Sequence, residues 1–127
     1  MIEAAIRSIL INDSTVKDIT TRCYPVTIPQ SPQYPLILYT KITGMRDHHL
    51  RGPSGHAHPR LQIESWGESY SGAKTLATAI REALDGYSGI VSGVSIGSIL
   101  IDSERDIYEP ELKIYRIVTD YFIWHEE

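Results

Sequence analysis

Hydrophobic spacing predicts two amphipathic helices in this chain. In residues 2–11 the apolar residues recur at intervals of three and four and form one stripe, made of Ile2, Ala5, Ile6, Ile9 and Leu10. The same spacing recurs in residues 73–84, at Ala73, Leu76, Ala77, Ile80 and Leu84. Ser69 or Ser71 can cap the second helix, and the Asp85-Gly86 pair ends it, because glycine tolerates a left-handed backbone.

β-branched, aromatic and alternating patterns predict four strands. They lie at residues 35–43, 60–66, 90–101 and 112–124. The third contains two glycines, so it is either one strand or a bent pair of strands. Residues 23–35 contain four prolines, which exclude a central strand and predict an extended connection across the surface.

Two segments without hydrophobic periodicity are predicted to be loops. Residues 45–58, MRDHHLRGPSGHAH, are expected to form a long loop or the tip of an extended hairpin. Residues 102–111, DSERDIYEPE, are expected to form an acidic loop. The element order is therefore α-β-β-α-β-β. It predicts a single α+β domain over residues 1–127, with an antiparallel sheet of about four strands and two helices packed on one face.

The predicted sheet is apolar on both faces, whereas two helices can cover only one. In the last strand Val118, Phe122 and Trp124 lie on one face, while Tyr115, Ile117, Tyr121 and Ile123 lie on the other. Either a partner surface covers the second face, or the proline-rich segment does.

Composition excludes several classes of protein. The net charge of −4 gives no basic excess of the kind that a dedicated nucleic-acid binder carries. The single cysteine, Cys23, can form no internal disulfide. Glu3 and Arg7 interrupt the N-terminal apolar stretch, so no signal peptide is expected, and no apolar run reaches the length of a membrane span. Synthesis in the cytoplasm without membrane association is the expectation.

The search for catalytic chemistry finds one weak candidate. His48, His49, His56 and His58 lie in one predicted loop beside Asp47 and could bind a metal, although a solvated loop is the favoured interpretation. Ser71 and Lys74 match an S-x-x-K motif whose partner motifs are missing. The acidic segment lacks the residue order of a calcium-binding loop. No enzyme activity and no cofactor are therefore expected.

The chain resembles phage tail-completion proteins, the group that includes tail terminators and tail-to-head joining proteins. The resemblance rests on short segments in order: CYP at 23–25, YPLILY at 34–39 with the following ITG at 42–44, GPSG at 52–55, LQIESW at 61–66, ALDG at 83–86, ERD-x-YEP at 104–110 and DYFIWH at 120–125. Together they extend over nearly the whole chain.

This resemblance implies a structural protein of the virion, located at the head–tail junction. Its relatives form a ring, usually a hexamer, that caps the tail tube, stops polymerisation and offers a docking surface to the head connector. The implied partners are other copies of the chain, the tail-tube protein and the head-completion or connector protein. DNA would pass through the ring without sequence-specific binding, and neither a cofactor nor a membrane is implied.

Two segments are the candidate contact sites under this resemblance. The first, expected to meet the tube or the lumen, consists of Arg46, His48, His49 and Arg51. The second, expected to meet a neighbouring subunit or the connector, consists of Asp102, Glu104, Arg105, Asp106, Tyr108 and Glu109, with Arg105 pairing across the contact. Two alternatives stay open: a head-completion or tail-tube protein of the same fold lineage, and a small metal-binding or ligand-binding domain that uses the histidine loop.

Overall fold

The computed structural model describes residues 1–43, 46–49 and 52–126. Within these ranges the chain forms three helices: α1 (Ile2–Asn12), α2 (Ser14–Ile19) and α3 (Tyr70–Leu84). It forms eight strands: β1 (Cys23–Pro25), β2 (Leu36–Thr43), β3 (Arg46–His49), β4 (Gly52–Ala57), β5 (Arg60–Gly67), β6 (Gly89–Val91), β7 (Val94–Glu109) and β8 (Ile114–Glu126).

The strands form one sheet whose main path is β1-β2-β5-β8-β7-β6. The β3–β4 hairpin joins this path at the end of β8, where His56 pairs with Glu126. Only β1 runs parallel to its neighbour, and the other described pairs are antiparallel. The α+β class is confirmed. The four-strand sheet and the simple element order are not, because α2, β1, β6 and the β3–β4 hairpin are additional elements.

The prediction of an acidic loop at residues 102–111 is wrong. β7 continues through Glu109 and pairs with β8 from Ser103 to its end, opposite Asp120 to Ile114. Backbone hydrogen bonds to β8 hold these residues extended, and their charged side chains find partners on both faces of the sheet. The chain turns only after Glu109, where Lys113 has a φ of 55°.

Other predictions agree with the structure over the described residues. Residues 46–49 and 52–57 form paired antiparallel strands, so the hairpin interpretation of 45–58 is confirmed. The segment at 90–101 is a bent pair, β6 and the start of β7. Ser92 and Gly93 connect them with φ values of 50° and 78°, which is the geometry of a two-residue hairpin turn. The Ser69 hydroxyl caps α3 by accepting a hydrogen bond from the Gly72 amide (3.1 Å).

The helices cover one face of the sheet, termed the helix face. Its core joins the apolar stripes of α1 and α3 to alternate strand residues, among them Ile37, Leu61, Ile63, Tyr121 and Ile123. Burial of each large aliphatic side chain here contributes about 1.5–3 kcal/mol.

The opposite face, termed the open face, is covered at one end by the proline-rich segment. Tyr24, Ile28 and Tyr34 pack on a second cluster that consists of Leu36, Leu38, Trp66 and Ile114. The proline-rich segment therefore accounts for this end of the face. Farther along β8 the open face is charged, and Leu100 and Trp124 stay 51% and 41% exposed there.

Candidate interaction surfaces

Charged clusters and exposed apolar patches lie along the two long paired strands β7 and β8, termed the β7–β8 ribbon. β7 has 16 residues, and at about 3.3 Å per residue it extends over roughly 50 Å. Alternate residues of its acidic part face opposite sides of the sheet, so Glu104, Asp106 and Tyr108 lie on the helix face. Arg105 and Glu109 lie on the open face, and a register shift between Ile101 and Ser103 brings Asp102 to the open face as well, where it contacts Arg60.

On the open face, Arg60 and Arg116 are each held between two carboxylates. The Arg60 guanidinium donates to Asp102 (2.5 Å) and Asp120 (3.0 Å), and it lies 5.1 Å from the Phe122 ring centroid. Since Asp120 is only 7% exposed, its charge is stabilised by Arg60 rather than by bulk water.

The second arginine forms a similar cluster nearer the β7–β8 turn. Arg116 donates to Glu64 (2.6 Å) and to Glu109, and its guanidinium lies 5.1 Å from the Trp66 ring. The indole nitrogen of Trp66 also donates to Glu64 (3.2 Å), which is only 5% exposed. Glu64 thus has several charge-assisted or neutral donors, as a buried carboxylate requires.

On the helix face, Lys74 of α3 lies between two acidic residues of β7. Its Nζ lies 3.1 Å from Glu104 and 3.0 Å from Asp106, and the Tyr70 hydroxyl donates to Asp106 (2.7 Å). Hydrogen bonds from Tyr70 and then Lys74 hold the pKa of Asp106 below its ordinary value. Hydrogen bonds to Asp106 and then to Glu104 raise the pKa of Lys74.

These contacts change the expected role of the acidic segment. Asp102, Glu104, Asp106 and Glu109 are each paired with a cation of the same chain, so they do not form a free acidic docking patch. Arg105 differs, because its side chain is exposed and makes no hydrogen bond or ion pair with the part of the chain that the structure describes.

Two exposed apolar patches lie at opposite ends of the ribbon. The tryptophan patch, on the open face, consists of Leu100 (51% exposed), Trp124 (41%) and His58, whose ring stacks on Trp124 at 4.4 Å. The tyrosine patch consists of Tyr70, Tyr108 (49% exposed), Leu112 and Tyr115. The Tyr115 ring lies 4.9 Å from Tyr108 and 5.9 Å from Tyr70. Exposed apolar clusters of this kind mark interaction sites in soluble proteins.

The structure places the first set of predicted contact residues only in part. Arg46, His48 and His49 lie on β3, with side chains outside the described residues, and Arg51 also lies outside them. Their hairpin joins β8 next to the tryptophan patch, since Ala57 pairs with His125. Of the second set, Tyr108 belongs to the tyrosine patch. Sequence analysis missed Leu100 and Leu112; Leu112 stands out as an apolar residue between Glu111 and Lys113, whereas Leu100 lies inside an apolar run with Ile99 and Ile101.

The described residues offer little for catalysis. They contain no group of three or more His, Cys, Asp or Glu side chains placed to hold a metal ion. Cys23 is buried in the core, and burial raises the pKa of its thiol to about 12, so it is a poor nucleophile. None of the described helices has the length and apolar character needed to cross a membrane.

Comparison with known proteins agrees with a structural role. The sequence matches the family model of tail completion protein gp17 over residues 4–126. The fold is similar to that of a chain in the solved virion of a native gene transfer agent (GTA) particle. The TM-score is 0.81, with 98% of this chain and 94% of that chain covered at 16% identity. At this identity the similarity shows the fold alone.

No match was found among individual curated proteins. The family match extends over nearly the whole chain and confirms the resemblance inferred from the short segments. The chain belongs to the tail completion protein gp17 family, and it is a structural virion protein that acts in tail assembly.

Proposed function

We propose that this protein caps the tail tube as a hexameric ring and joins the tail to the head connector, without enzymatic activity. The observation that supports this role is the pair of unlike apolar patches at opposite ends of the β7–β8 ribbon. A joining protein must bind two different structures at its two ends, and each patch offers a separate surface.

The distance between the patches suits two separate contacts. Leu100 and Tyr108 are eight positions apart on β7, which corresponds to about 26 Å along the strand. The patches also lie on opposite faces of the sheet. One flat partner surface could therefore not engage both.

We use the position of the β3–β4 hairpin to decide which end of the ribbon meets the tail tube and which meets the connector. It extends from the end of β8 that carries the tryptophan patch, so we assign this end to the tail tube. The tube contact then includes the hairpin residues Arg46, His48, His49 and Arg51 together with Trp124. The tyrosine patch, with Tyr108 and Leu112, is assigned to the connector.

Electron microscopy and binding assays with purified tubes and connectors test this role. The wild-type protein is expected to form rings, alone or on tube ends, and to stop tube growth. Self-polymerisation into long tubes would instead identify a tube protein. A protein that fails to bind tubes, or that fails to bind connectors, would contradict the joining role.

Two exposed substitutions form a matched pair. Trp124→Ser is expected to reduce tube binding and leave connector binding unchanged, whereas Tyr108→Ser is expected to do the opposite. Equal loss of both activities in either folded variant would show that the two ends are not separate surfaces.

A further inference from the structure

Part of the outer edge of β7 has no neighbouring strand in the described structure. β6 covers only Val94 to Ile96. The end of α3 then covers the next positions, because the Gly86 amide donates to the Ile99 carbonyl (2.7 Å) and Asp85 accepts from the Ile101 amide (3.0 Å). From residue 103 to residue 109, β7 pairs with β8 on its inner side alone.

The register shows which backbone groups this edge presents. The Ile123 amide donates toward β5, to the Pro59 carbonyl, so the even-numbered residues of β8 face β7. Ser103, Arg105, Ile107 and Glu109 lie opposite them and bond inward. The amide and carbonyl groups of Glu104, Asp106 and Tyr108 consequently point outward, away from β8.

At the other end of the sheet, a shorter stretch of edge has no neighbouring strand among the described residues. β1 pairs with β2 only from Ile37 to Tyr39. Its own outer carbonyls are occupied, since Cys23 accepts from Arg7 (3.4 Å) and Pro25 accepts from the Thr27 amide (2.6 Å). Beyond β1, the alternation along β2 turns the amide and carbonyl of Lys41 outward.

The two open edges are complementary in charge. A groove of about 390 Å³ beside Lys41 is lined by Glu3, Arg7 and Lys41 among other residues, which leaves one net positive charge from these side chains. On the helix face of the β7 edge, Glu104 and Asp106 face the single cation Lys74, which leaves one net negative charge on that face; Arg105 lies on the open face.

We propose that the outer edge of β7 at residues 103–109 pairs with the β2 edge at Lys41 of a second copy of this chain. Asp106 and Lys41 both lie on the helix face, so this pairing sets opposite charges side by side and keeps the helices of both copies on one side of a continuous sheet. The inference rests on the proposed ring, whose lateral contact it defines.

Head-to-tail pairing is compatible with a ring. Unlike edges give a heterologous interface, which forms a ring when the rotation between successive copies closes and an open filament when it does not. Two β7 edges paired about a twofold axis at Asp106 would instead oppose the two Asp106 carboxylates, and like charges in that position are destabilising.

The experiment compares Asp106→Pro with Asp106→Ala. Both remove the carboxylate and its contacts with Tyr70 and Lys74, but only proline removes the outward amide, and an edge strand tolerates proline there. When the two variants have equal helicity and equal monomer stability, the association constant of Asp106→Pro is expected to be at least about tenfold lower than that of Asp106→Ala, because the proline variant loses interface hydrogen bonds. Equal assembly of the two folded variants would overturn the inference.

A cross-linking experiment tests the geometry independently of folding in the proline variant. The double variant Lys41→Cys/Asp106→Cys, oxidised with diamide, is expected to give a ladder of covalent species beyond the dimer, whereas each single variant stops at the dimer. Absence of the ladder while wild-type protein forms rings would overturn this edge contact and leave the proposed function intact. Absence of wild-type rings both alone and on tail tubes would instead refute the proposed function.

Discussion

The hydroxyl of Tyr121 is the most informative point at which to perturb the core. The side chain lies on the helix face of β8, opposite Leu61 on β5 and Ile101 on β7, and it has 0% exposure. Its hydroxyl has no hydrogen-bond partner among the described residues. Burial accordingly raises the pKa of Tyr121 above its ordinary value.

Tyr121→Phe is expected to stabilise the protein. In the unfolded chain the hydroxyl is bonded to water, and folding removes that bond without replacing it, at a cost of about 1–3 kcal/mol. The phenyl ring keeps the packing of the tyrosine ring. We expect a gain of about 1 kcal/mol in the free energy of unfolding, which raises the melting temperature by about 4 °C in a domain of this size.

Urea denaturation followed by circular dichroism measures this change, at a single protein concentration because assembly also stabilises the folded chain. Tyr39→Phe is the matched control. Tyr39 is buried on the same face, but its hydroxyl oxygen is not enclosed and can bond to water, so the change should stay within about 0.5 kcal/mol. A loss of about 1 kcal/mol or more in Tyr121→Phe would refute the reasoning, since it would show that the hydroxyl is bonded.

The remaining predictions concern the charged clusters and the helix cap. Arg116→Leu should lower the free energy of unfolding by about 3–5 kcal/mol, measured by urea denaturation, because it leaves the Glu64 carboxylate buried without its cation. Adding Glu64→Gln should restore most of the lost stability, and no restoration would argue against charge burial as the cause. Folding lowers the pKa of Asp106, so its ionised carboxylate stabilises the folded protein. This stabilisation is complete above the ordinary carboxyl pKa of about 3.9 and is lost as the pH falls through the pKa that Asp106 has in the folded protein. The difference in urea midpoint between wild type and Asp106→Asn should therefore shrink in acid, and a constant difference would contradict this. Ser69→Ala should lower the free energy of unfolding by about 1 kcal/mol, because the helix cap is lost, whereas Ser71→Ala should leave it nearly unchanged. Equal losses of stability in thermal denaturation would show that Ser69 does not act as the cap.

The helices and main strands were predictable because their signals are local. The stripes of α1 and α3 recur with the period of a helix, and the alternation in β5 and β8 has the period of a strand. The prolines at residues 23–35 correctly excluded a central strand, and β1 lies at the edge of the sheet. Three-residue strands such as β1 and β6 carry too few side chains to show a period.

The acidic half of β7 was misassigned for a different reason. A strand with one buried face shows apolar residues at every second position, but both faces of residues 102–109 carry charges. Arg60, Lys74 and Arg116 neutralise those charges. Arg60 lies 42 positions from Asp102 and Lys74 lies 30 positions from Glu104, while Arg116 lies 7 positions from Glu109, across the turn. Local patterns could not show that the partners of this segment were present.

The amino-acid sequence alone determined the α+β class, the two long helices, the four main strand regions and the resemblance to tail-completion proteins, because each depends on residues close together along the chain. Only the tertiary structure decided that the acidic segment is a strand, that its carboxylates are internally paired and that parts of the β7 and β2 edges have no neighbouring strand among the described residues. Strand pairing and charge neutralisation depend on residues far apart in sequence, and they appear only when the chain has folded.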